Sequence, residues 1–302
     1  MNTKTSEPVI EVKNLTRKFR RKLALDDVSL EVPPGCVFGL VGENGVGKTT
    51  LINHLLGSFI AQKGSVRVLG KDPTKHPVET LSRIGLLTED RIMPSWMTVA
   101  ELVKFTRVFY PNWDPAFADQ LLEMFGLDPG ARLKTLSKGE RAKAELLTAL
   151  AHRPELLILD EPSSGLDVIV RHEILKAIVR DVAGEGRTVF FSSHLLDEVE
   201  RVSDYVAIMV KGKIVLADSL DNIRENHYRM TIRYPQPRDD QPVFSGALHC
   251  TGSGQIWTVI CNGQREEIRR EVAEQDAAVV DEQSPSLEEV FVARTKCALP
   301  TV

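Results

Sequence analysis

Short apolar runs rich in β-branched residues recur along the chain, and turn residues bound them. Such runs are typical of buried strands, and they occupy residues 9–12, 37–41, 65–69, 156–159, 189–192 and 206–210. Helical patterns lie between several of them, at residues 49–56, 168–182 and 195–202. Strands that alternate with helices predict a largely parallel sheet covered on both faces, so the expected fold class is α/β.

The middle of the chain breaks this alternation. Three helical patterns follow one another without a strand signal, at residues 98–109, 114–125 and 137–151. Asp114 followed by Pro115 is typical of a helix start, with a capping carboxylate and a proline at the first helical position. We therefore predict a helical insertion into the sheet domain, from about residue 90 to about residue 152.

The pattern changes again after about residue 224. It predicts strands at 228–234 and 256–261, helices at 264–274 and 287–295, and a loop over the proline-rich stretch 235–242. We expect a main domain over residues 1–223 and a small α+β module over residues 224–302.

The composition is that of a globular protein. Hydrophobic residues make up 42% and charged residues 26% of the 302 positions, which argues against a disordered or fibrous chain. The formal net charge is only -4, and acidic Asp26 and Asp27 follow the basic run 17–22. A nucleic acid is therefore not expected as a partner.

The cysteines and the apolar segments bear on location. Cys36, Cys250, Cys261 and Cys297 form no CxxC pair and have no histidine at metal-ligand spacing, which favours a reducing compartment and ordinary packing. Residues 1–8 lack an apolar signal region, and no run of about 18 apolar residues occurs. We expect a cytoplasmic protein that reaches a membrane only if another protein holds it there.

A phosphate-binding pattern stands between a predicted strand and a predicted helix. It is the P-loop pattern, formed by Gly42, Glu43, Asn44, Gly45, Val46, Gly47, Lys48 and Thr49. Its glycines let backbone N–H groups converge on phosphate oxygens, and the helix N-terminus adds a positive dipole. Lys48 can reach the outer phosphates, and the Thr49 hydroxyl can ligate Mg²⁺.

Two carboxylates follow the apolar run 156–159. Asp160 and Glu161 then emerge at the carboxyl end of a strand, where α/β sheets bind their ligands. Asp160 suits Mg²⁺ coordination through water, and Glu161 suits the activation of an attacking water. An apolar strand that ends in Asp-Glu is by itself ordinary, and the P-loop in the same chain favours the functional interpretation.

The stretch upstream of that strand makes the pattern more specific. Leu136, Ser137, Lys138, Gly139 and Glu140 resemble the signature motif of the ABC ATPases, and the order P-loop, signature, acidic strand, His194 is that family's order. The stretch that begins at Ser163 and continues with Ser164, Gly165, Leu166 and Asp167 resembles its D-loop. His194 resembles the switch histidine, and Phe19 resembles the aromatic that stacks on adenine.

The resemblance covers about residues 9–219 and implies a P-loop NTPase core of RecA-like type with an antiparallel β portion. It also implies ATP and Mg²⁺ as ligands, with Phe19, the P-loop and Thr50 on the nucleotide. Glu161 would be the general base, and His194 would contact the γ-phosphate. In this family two such domains pack head to tail, so Ser137 to Glu140 would serve the ATP of the opposite subunit. Ser137 and Glu140 also have the spacing of a capping box, and both interpretations can hold.

Three positions depart from the family pattern. Glu89 replaces the glutamine of the Q-loop, and Lys138 and Glu140 stand where glycine and glutamine are common. If Glu89 reaches the site, its carboxylate can ligate Mg²⁺, and the alternative is that it faces solvent or an arginine such as Arg91. Ser137 and Gly139 are retained, so an inactive site is not inferred.

The resemblance implies an ATPase subunit of a transporter that works as a homodimer or heterodimer on a separate membrane permease. Residues 285–291 resemble the closing motif of ATPase subunits paired with export-type permeases, which favours an exporter. In the loop 91–97, Trp96 either packs in the core or docks the permease. One alternative function is a soluble ABC ATPase that acts mechanically or as a regulator on a non-membrane partner. Another is a nucleotide-dependent binding subunit that scarcely hydrolyses ATP, against which Glu161 and His194 argue.

Overall fold

The computed structural model describes residues 7–89, 93–177 and 186–297. They form two compact units, Met1–Ile214 and Val215–Val302. This division comes earlier in the chain than the boundary predicted after residue 223. It falls inside a strand, whereas the predicted boundary follows the change of composition.

The elements are numbered along the chain. The strands are β1 (Ile10–Phe19), β2 (Lys22–Val32), β3 (Val37–Val41), β4 (Lys63–Val68), β5 (Ile84–Leu87), β6 (Leu156–Asp160), β7 (Thr188–Ser193), β8 (Tyr205–Val210), β9 (Lys213–Ser219), β10 (His227–Arg238), β11 (Ala247–Asn262) and β12 (Ala278–Gln283). The α-helices are α1 (Lys48–Leu55), α2 (Pro77–Leu81), α3 (Val99–Arg107), α4 (Pro115–Phe125), α5 (Lys138–Leu150), α6 (Val168–Ala177), α7 (Leu196–Val202), α8 (Leu220–Asn226), α9 (Arg265–Glu274) and α10 (Leu287–Cys297).

The larger sheet has the strand order β5-β6-β7-β3-β8-β9. Strands β5, β6, β7, β3 and β8 pair in parallel, with Asp160 level with Ser192 and Val41 level with Ser193. Their side chains are almost all buried, which is why the sequence shows them as continuous apolar runs. The predicted α/β fold with a P-loop core is confirmed. The carboxyl ends of β3, β6 and β7 lie side by side at one edge of this sheet.

A three-stranded antiparallel sheet, in the order β2-β1-β4, forms the expected antiparallel portion. Strand β2 is absent from the predicted strands because Asp26 and Asp27 interrupt its apolar pattern. The irregular register between Val12 and Lys18 of β1 accommodates this interruption, and the backbone of Asp27 has a positive φ of 56°. The side chains of β1 therefore do not follow strict alternation.

The helical insertion contains α3, α4 and α5, with no strand among its described residues. Asp114 accepts a hydrogen bond from the backbone N–H of Phe117, as its N-cap position predicts. Residues 90–92, at the start of the predicted insertion, lie outside the described residues. The predicted helix 168–182 is described as α6 to Ala177, and residues 178–182 also lie outside.

The second unit contains the antiparallel sheet β11-β10-β12 together with α9 and α10. The predicted loop over 235–242 is wrong in its first half, because β10 continues to Arg238. The pairing of β10 with β11 shifts register between Arg233 and Arg238. The two prolines at 235 and 237 therefore occupy positions where the ladder requires no N–H donor.

Two further expectations concern the whole chain. Among the described residues, no helix is long and apolar enough to cross a membrane. Cys36, Cys250 and Cys261 are buried free thiols, which agrees with ordinary packing.

Candidate functional site

The P-loop connects the end of β3 to the start of α1. A Cβ atom at Gly42 would lie 2.5 Å from the carbonyl oxygen of Met209, and one at Gly47 would lie 2.5 Å from that of Ala24. Gly47 also has φ of 122°, in the left-handed region that favours glycine. Only glycine therefore fits these two positions, and the loop can run close to its neighbours.

A cavity of about 390 Å³ opens beside this loop. It is lined by Phe19, Lys22, Ala24, Asn44, Gly45, Gly47, Lys48, Thr49, Thr50, Glu89 and Glu161. Gly42, Glu43 and Val46 belong to the loop but not to this lining. The cavity thus brings together predicted site residues from four separate segments, whereas Asp160 and His194 do not line it.

Lys48 is buried, with a relative exposure of 5%, at the first position of α1. Its Nζ donates to the carbonyl oxygen of Gly42 at 2.6 Å and to that of Glu43 at 3.2 Å. The same atom lies 3.0 Å from Glu161 Oε1. A buried cation is therefore held at the cavity by two carbonyls and one carboxylate.

The end of β6 places both acids of the predicted pair inside the protein. Ser192 on β7 is fully buried, and its Oγ donates to Asp160 Oδ1 at 2.6 Å and accepts from the backbone N–H of Glu161 at 3.0 Å. The backbone of Glu161 has φ of 49°, which is left-handed and unusual for a residue with a long side chain. This turn directs the chain out of β6 while the carboxylate stays within reach of Lys48.

His194 directly follows β7. Its Nδ1 lies 2.7 Å from Glu161 Oε2, and because a carboxylate can only accept, Nδ1 carries the proton. Glu161 therefore has Lys48 at one oxygen and His194 at the other. The prediction that Glu161 and His194 share one edge of the sheet agrees with this geometry.

The signature residues lie at the start of α5. Ser137 accepts a hydrogen bond from the Glu140 backbone N–H at 3.2 Å, and the Glu140 carboxylate accepts from the Ser137 N–H at 2.8 Å. This capping box keeps the pKa of Glu140 below its usual value, chiefly through the backbone hydrogen bond. Gly139 packs against Val170, whose Cγ2 would be 3.0 Å from an added Cβ. None of Ser137, Lys138, Gly139 and Glu140 lines the cavity, so they do not join the P-loop of their own chain.

The D-loop stretch follows Glu161 closely. The Ser164 N–H donates to the Glu161 carbonyl oxygen at 3.0 Å, and the Leu166 N–H donates to that of Ser163 at 3.2 Å. Asp167 Oδ1 accepts from the N–H groups of Ile169 and Val170, so it caps the start of α6. The stretch is therefore a hydrogen-bonded turn between β6 and α6, with Gly165 at φ of 69°.

Phe19 and Glu89 lie on the lining, at positions with different surroundings. The Arg17 guanidinium lies 4.6 Å from the centroid of the Phe19 ring. The Phe59 ring packs edge-on against Phe19, with 5.6 Å between the two ring centroids. Glu89 is exposed, so the alternatives for its carboxylate are the cavity and solvent, while Arg91 lies outside the described residues. Arg17 and Phe59 contact Phe19 but do not themselves line the cavity.

Glu198 on α7 is a buried carboxylate that belongs to none of the sequence motifs. Its Oε2 accepts from Ser163 Oγ at 2.6 Å and from Ser193 Oγ at 3.3 Å, and its Oε1 lies 3.1 Å from Arg171 Nε. Burial raises the pKa of Glu198 above the usual value for glutamate. Its position four residues after His194, on the inner face of an amphipathic helix, is the only sequence signal for it.

Comparisons with known proteins agree with this picture. The family model described as "ABC transporter" matches residues 25–164. The bacitracin transport ATP-binding protein BcrA of Enterococcus faecalis is 32% identical over 228 residues, covering 74% of each chain. The uncharacterized ABC transporter ATP-binding protein YdbJ of Bacillus subtilis is 30% identical over 297 residues, covering 96% of each chain. The solved structure of cbiO1 from Clostridium perfringens, described as part of an ABC transporter complex, has a TM-score of 0.62 at 26% identity, covering 71% of this chain and 89% of that one.

Proposed function

Because the chain belongs to the ABC transporter ATP-binding proteins, we propose that it drives a separate membrane permease of export type through ATP-dependent dimerisation. It is an ATPase that converts ATP and water to ADP and phosphate. The observation that carries the proposal is that Glu161, on the lining of the P-loop cavity, contacts Lys48 with one carboxylate oxygen and His194 with the other.

The roles of these residues follow from their positions. Lys48 supplies positive charge for the outer phosphates. Glu161 accepts the proton of the attacking water at its carboxylate, and the Nδ1–H of His194 fixes the orientation of that carboxylate. Phosphoryl transfer depends mainly on positioning and charge stabilisation, so these contacts account for the chemistry that the protein itself must provide.

The oxygen donors at this edge fit Mg²⁺, a hard cation that prefers oxygen ligands. The Thr49 hydroxyl and the Asp160 carboxylate would hold it, with Asp160 oriented by Ser192, and Glu89 is a further candidate ligand. The metal supplies charge neutralisation at the phosphates when bound. Among the described residues, no group of three or more His, Cys, Asp or Glu side chains could hold a metal ion.

Dimerisation is supported by the position of the signature. The capped N-terminus of α5 exposes Ser137 outside the cavity of its own chain, while Gly139 is buried, and a helix N-terminus favours anions. A second copy or a related subunit would bring its signature to the open side of the cavity. The γ-phosphate would then lie between two subunits.

The permease partner is supported by the apolar surface of the helical insertion. Trp96 is 68% exposed, so it is not a core residue, and Phe105 and Phe109 are 49% and 62% exposed. Large exposed aromatic side chains in one region are typical of protein contacts. The relative named for bacitracin transport and the resemblance of residues 285–291 to export-type subunits support the choice of an exporter. The protein would then act at the cytoplasmic face of the membrane.

The decisive variant is Glu161→Gln. It removes the base but keeps the side-chain length, so hydrolysis should fall while ATP binding persists and ATP-bound dimers accumulate. Light scattering with saturating ATP and Mg²⁺ should then move from the monomer mass of 33.6 kDa toward twice that value. Glu123→Gln, at an exposed position of α4, is the matched control and should behave as the wild type.

A Glu161→Gln variant that stays monomeric with ATP would refute the shared site for two copies of this chain, and mixing with a second ATPase subunit would then test the heterodimer. Co-expression with a polytopic membrane protein, if one is encoded beside this chain, tests the transport role. Failure to co-purify would favour the alternative of an ABC ATPase that acts on a non-membrane partner.

A further inference from the structure

Glu198 is surrounded by three segments of the first unit. It lies in the first turn of α7 with a relative exposure of 2%. Ser163 belongs to the D-loop stretch, Ser193 ends β7, and Arg171 lies on α6. One buried carboxylate thus contacts three segments that lie between Glu161 and His194 in the sequence.

The two serines are close neighbours of the proposed catalytic pair. Ser163 stands two residues after Glu161, and Ser193 stands immediately before His194. Both hydroxyls donate to the same oxygen of Glu198, and Ser193 Oγ also accepts from the Leu195 N–H at 3.0 Å. The Glu161 segment and the His194 segment are therefore joined a second time, beside their direct contact of 2.7 Å.

Packing alone does not explain a glutamate at this position. A buried carboxylate loses its hydration, and an apolar side chain of similar volume would fill the same space at lower cost. The pKa of Glu198 is raised for this reason, with the serines and Arg171 offsetting part of the effect. The Glu198 carboxylate is therefore better explained by its contacts with the segments that carry Glu161 and His194.

We propose that Glu198 is a positioning residue that holds His194 against Glu161 by tying the D-loop stretch to the end of β7 through Ser163 and Ser193. This inference rests on the proposed roles of Glu161 and His194. It assigns Glu198 no contact with ATP.

Two substitutions separate the hydrogen bonds that Glu198 accepts from the serines from its ion pair with Arg171. Glu198→Gln keeps a side-chain oxygen that can accept from both serines but removes the charge that pairs with Arg171. Glu198→Leu removes the oxygen as well. Because a misplaced catalytic group can cost about 100-fold in rate, we expect Glu198→Leu to lower kcat by about 10- to 100-fold, with ATP affinity within about twofold of the wild type. Glu198→Gln should retain most of the activity.

A spectroscopic readout separates positioning from general damage. With the seven histidines labelled by ¹⁵N, the Nδ1 resonance of His194, identified from a His194→Gln sample, reports its hydrogen bond to Glu161. It should shift in Glu198→Leu and stay in place in Glu198→Gln. Ser203→Ala, which removes another buried hydroxyl of the same unit, is the control and should leave kcat and this resonance unchanged.

If Glu198→Leu does not fold, the double variant Ser163→Ala/Ser193→Ala removes both donors and keeps Glu198. It should show the same loss of kcat and the same shift. Wild-type kcat in Glu198→Leu or in the double serine variant would overturn the inference, as would an equal loss in the Gln and Leu variants. The proposed function fails separately, if Glu161→Gln hydrolyses ATP as fast as the wild type does.

Discussion

Replacing Ser192 by alanine tests whether one hydroxyl organises the end of β6. Ser192 Oγ makes two hydrogen bonds, to the Asp160 carboxylate and from the Glu161 N–H, and all three residues are buried. Ser192→Ala removes both bonds and introduces no bulk. The Glu161 N–H is then left without its acceptor inside the protein.

The size of the effect follows from the two bonds. A hydrogen bond to a charged group contributes about 1.5–3 kcal/mol, and a buried donor left unpaired costs about 1–3 kcal/mol. We expect the free energy of unfolding to fall by about 3–5 kcal/mol in total. This is a large part of the roughly 5–15 kcal/mol that stabilises a typical domain.

Urea unfolding followed by tryptophan fluorescence measures this change. In a Trp257→Phe background only Trp96 and Trp113 remain, and both belong to the first unit. With a slope of about 3 kcal/mol per molar urea, the midpoint should move down by about 1–1.7 M. Ser203→Ala is the matched control, because Ser203 Oγ is buried and makes no hydrogen bond within the described part of the chain. It removes a buried hydroxyl without breaking a hydrogen bond, so it should not lower the free energy of unfolding. Equal midpoints for the two variants would refute the reasoning.

Two further predictions use the buried titratable groups. Burial lowers the pKa of the three buried histidines, so the unfolded chain binds more protons below about pH 6.5. Stability should therefore fall as pH drops through that value, by up to about 1.4 kcal/mol per pH unit for each histidine. These histidines are His54, His152 and His227. Urea unfolding at pH 7.5 and at pH 5.5 measures this loss of stability. The loss should be smaller in His152→Gln and unchanged in the control His172→Gln, which lies at an exposed position. An unchanged loss in His152→Gln would contradict the prediction. Burial also raises the pKa of the Cys36 thiol to about 12 and those of Cys250 and Cys261 to about 11. In a Cys297→Ser background, iodoacetamide at pH 8 should therefore label none of the three before unfolding in urea and all of them afterwards, and labelling of the native protein would show that these thiols are accessible.

The sequence predicted best those elements that are buried on both faces. Strands β3, β6 and β7 appear as uninterrupted apolar runs because helices or loops cover both sides of a parallel sheet. Their carboxyl ends share one edge, so the closeness of Lys48, Glu161 and His194 could be expected from the order of motifs alone. Strand β2 was hidden by its paired aspartates, and β5 by its shortness and by Gly85, whose missing Cβ makes room for the Ala149 carbonyl.

The hydrogen bonds around the site could not be predicted in the same way. The adjacent residues Ser192 and Ser193 occupy opposite faces of β7. Ser192 therefore contacts Asp160, whereas Ser193 contacts Glu198. Glu198 itself resembles any solvated glutamate of an amphipathic helix until the packing of α7 is known. Side-chain partners of this kind depend on tertiary structure and leave no periodic signal.

The left-handed backbone at Glu161 makes selection for stability and selection for turnover favour different residues at this position. Glycine, and to a lesser degree asparagine and aspartate, adopt this conformation readily, whereas other residues carry a strain of about 1–2 kcal/mol. Those three side chains are too short to lie between Lys48 and His194 as the glutamate does at 3.0 Å and 2.7 Å. Variants selected only for heat resistance would therefore gain stability by replacing Glu161. Variants selected for turnover would keep Glu161 together with its strained backbone. With the role proposed for Glu161, stability and turnover place opposite demands on position 161.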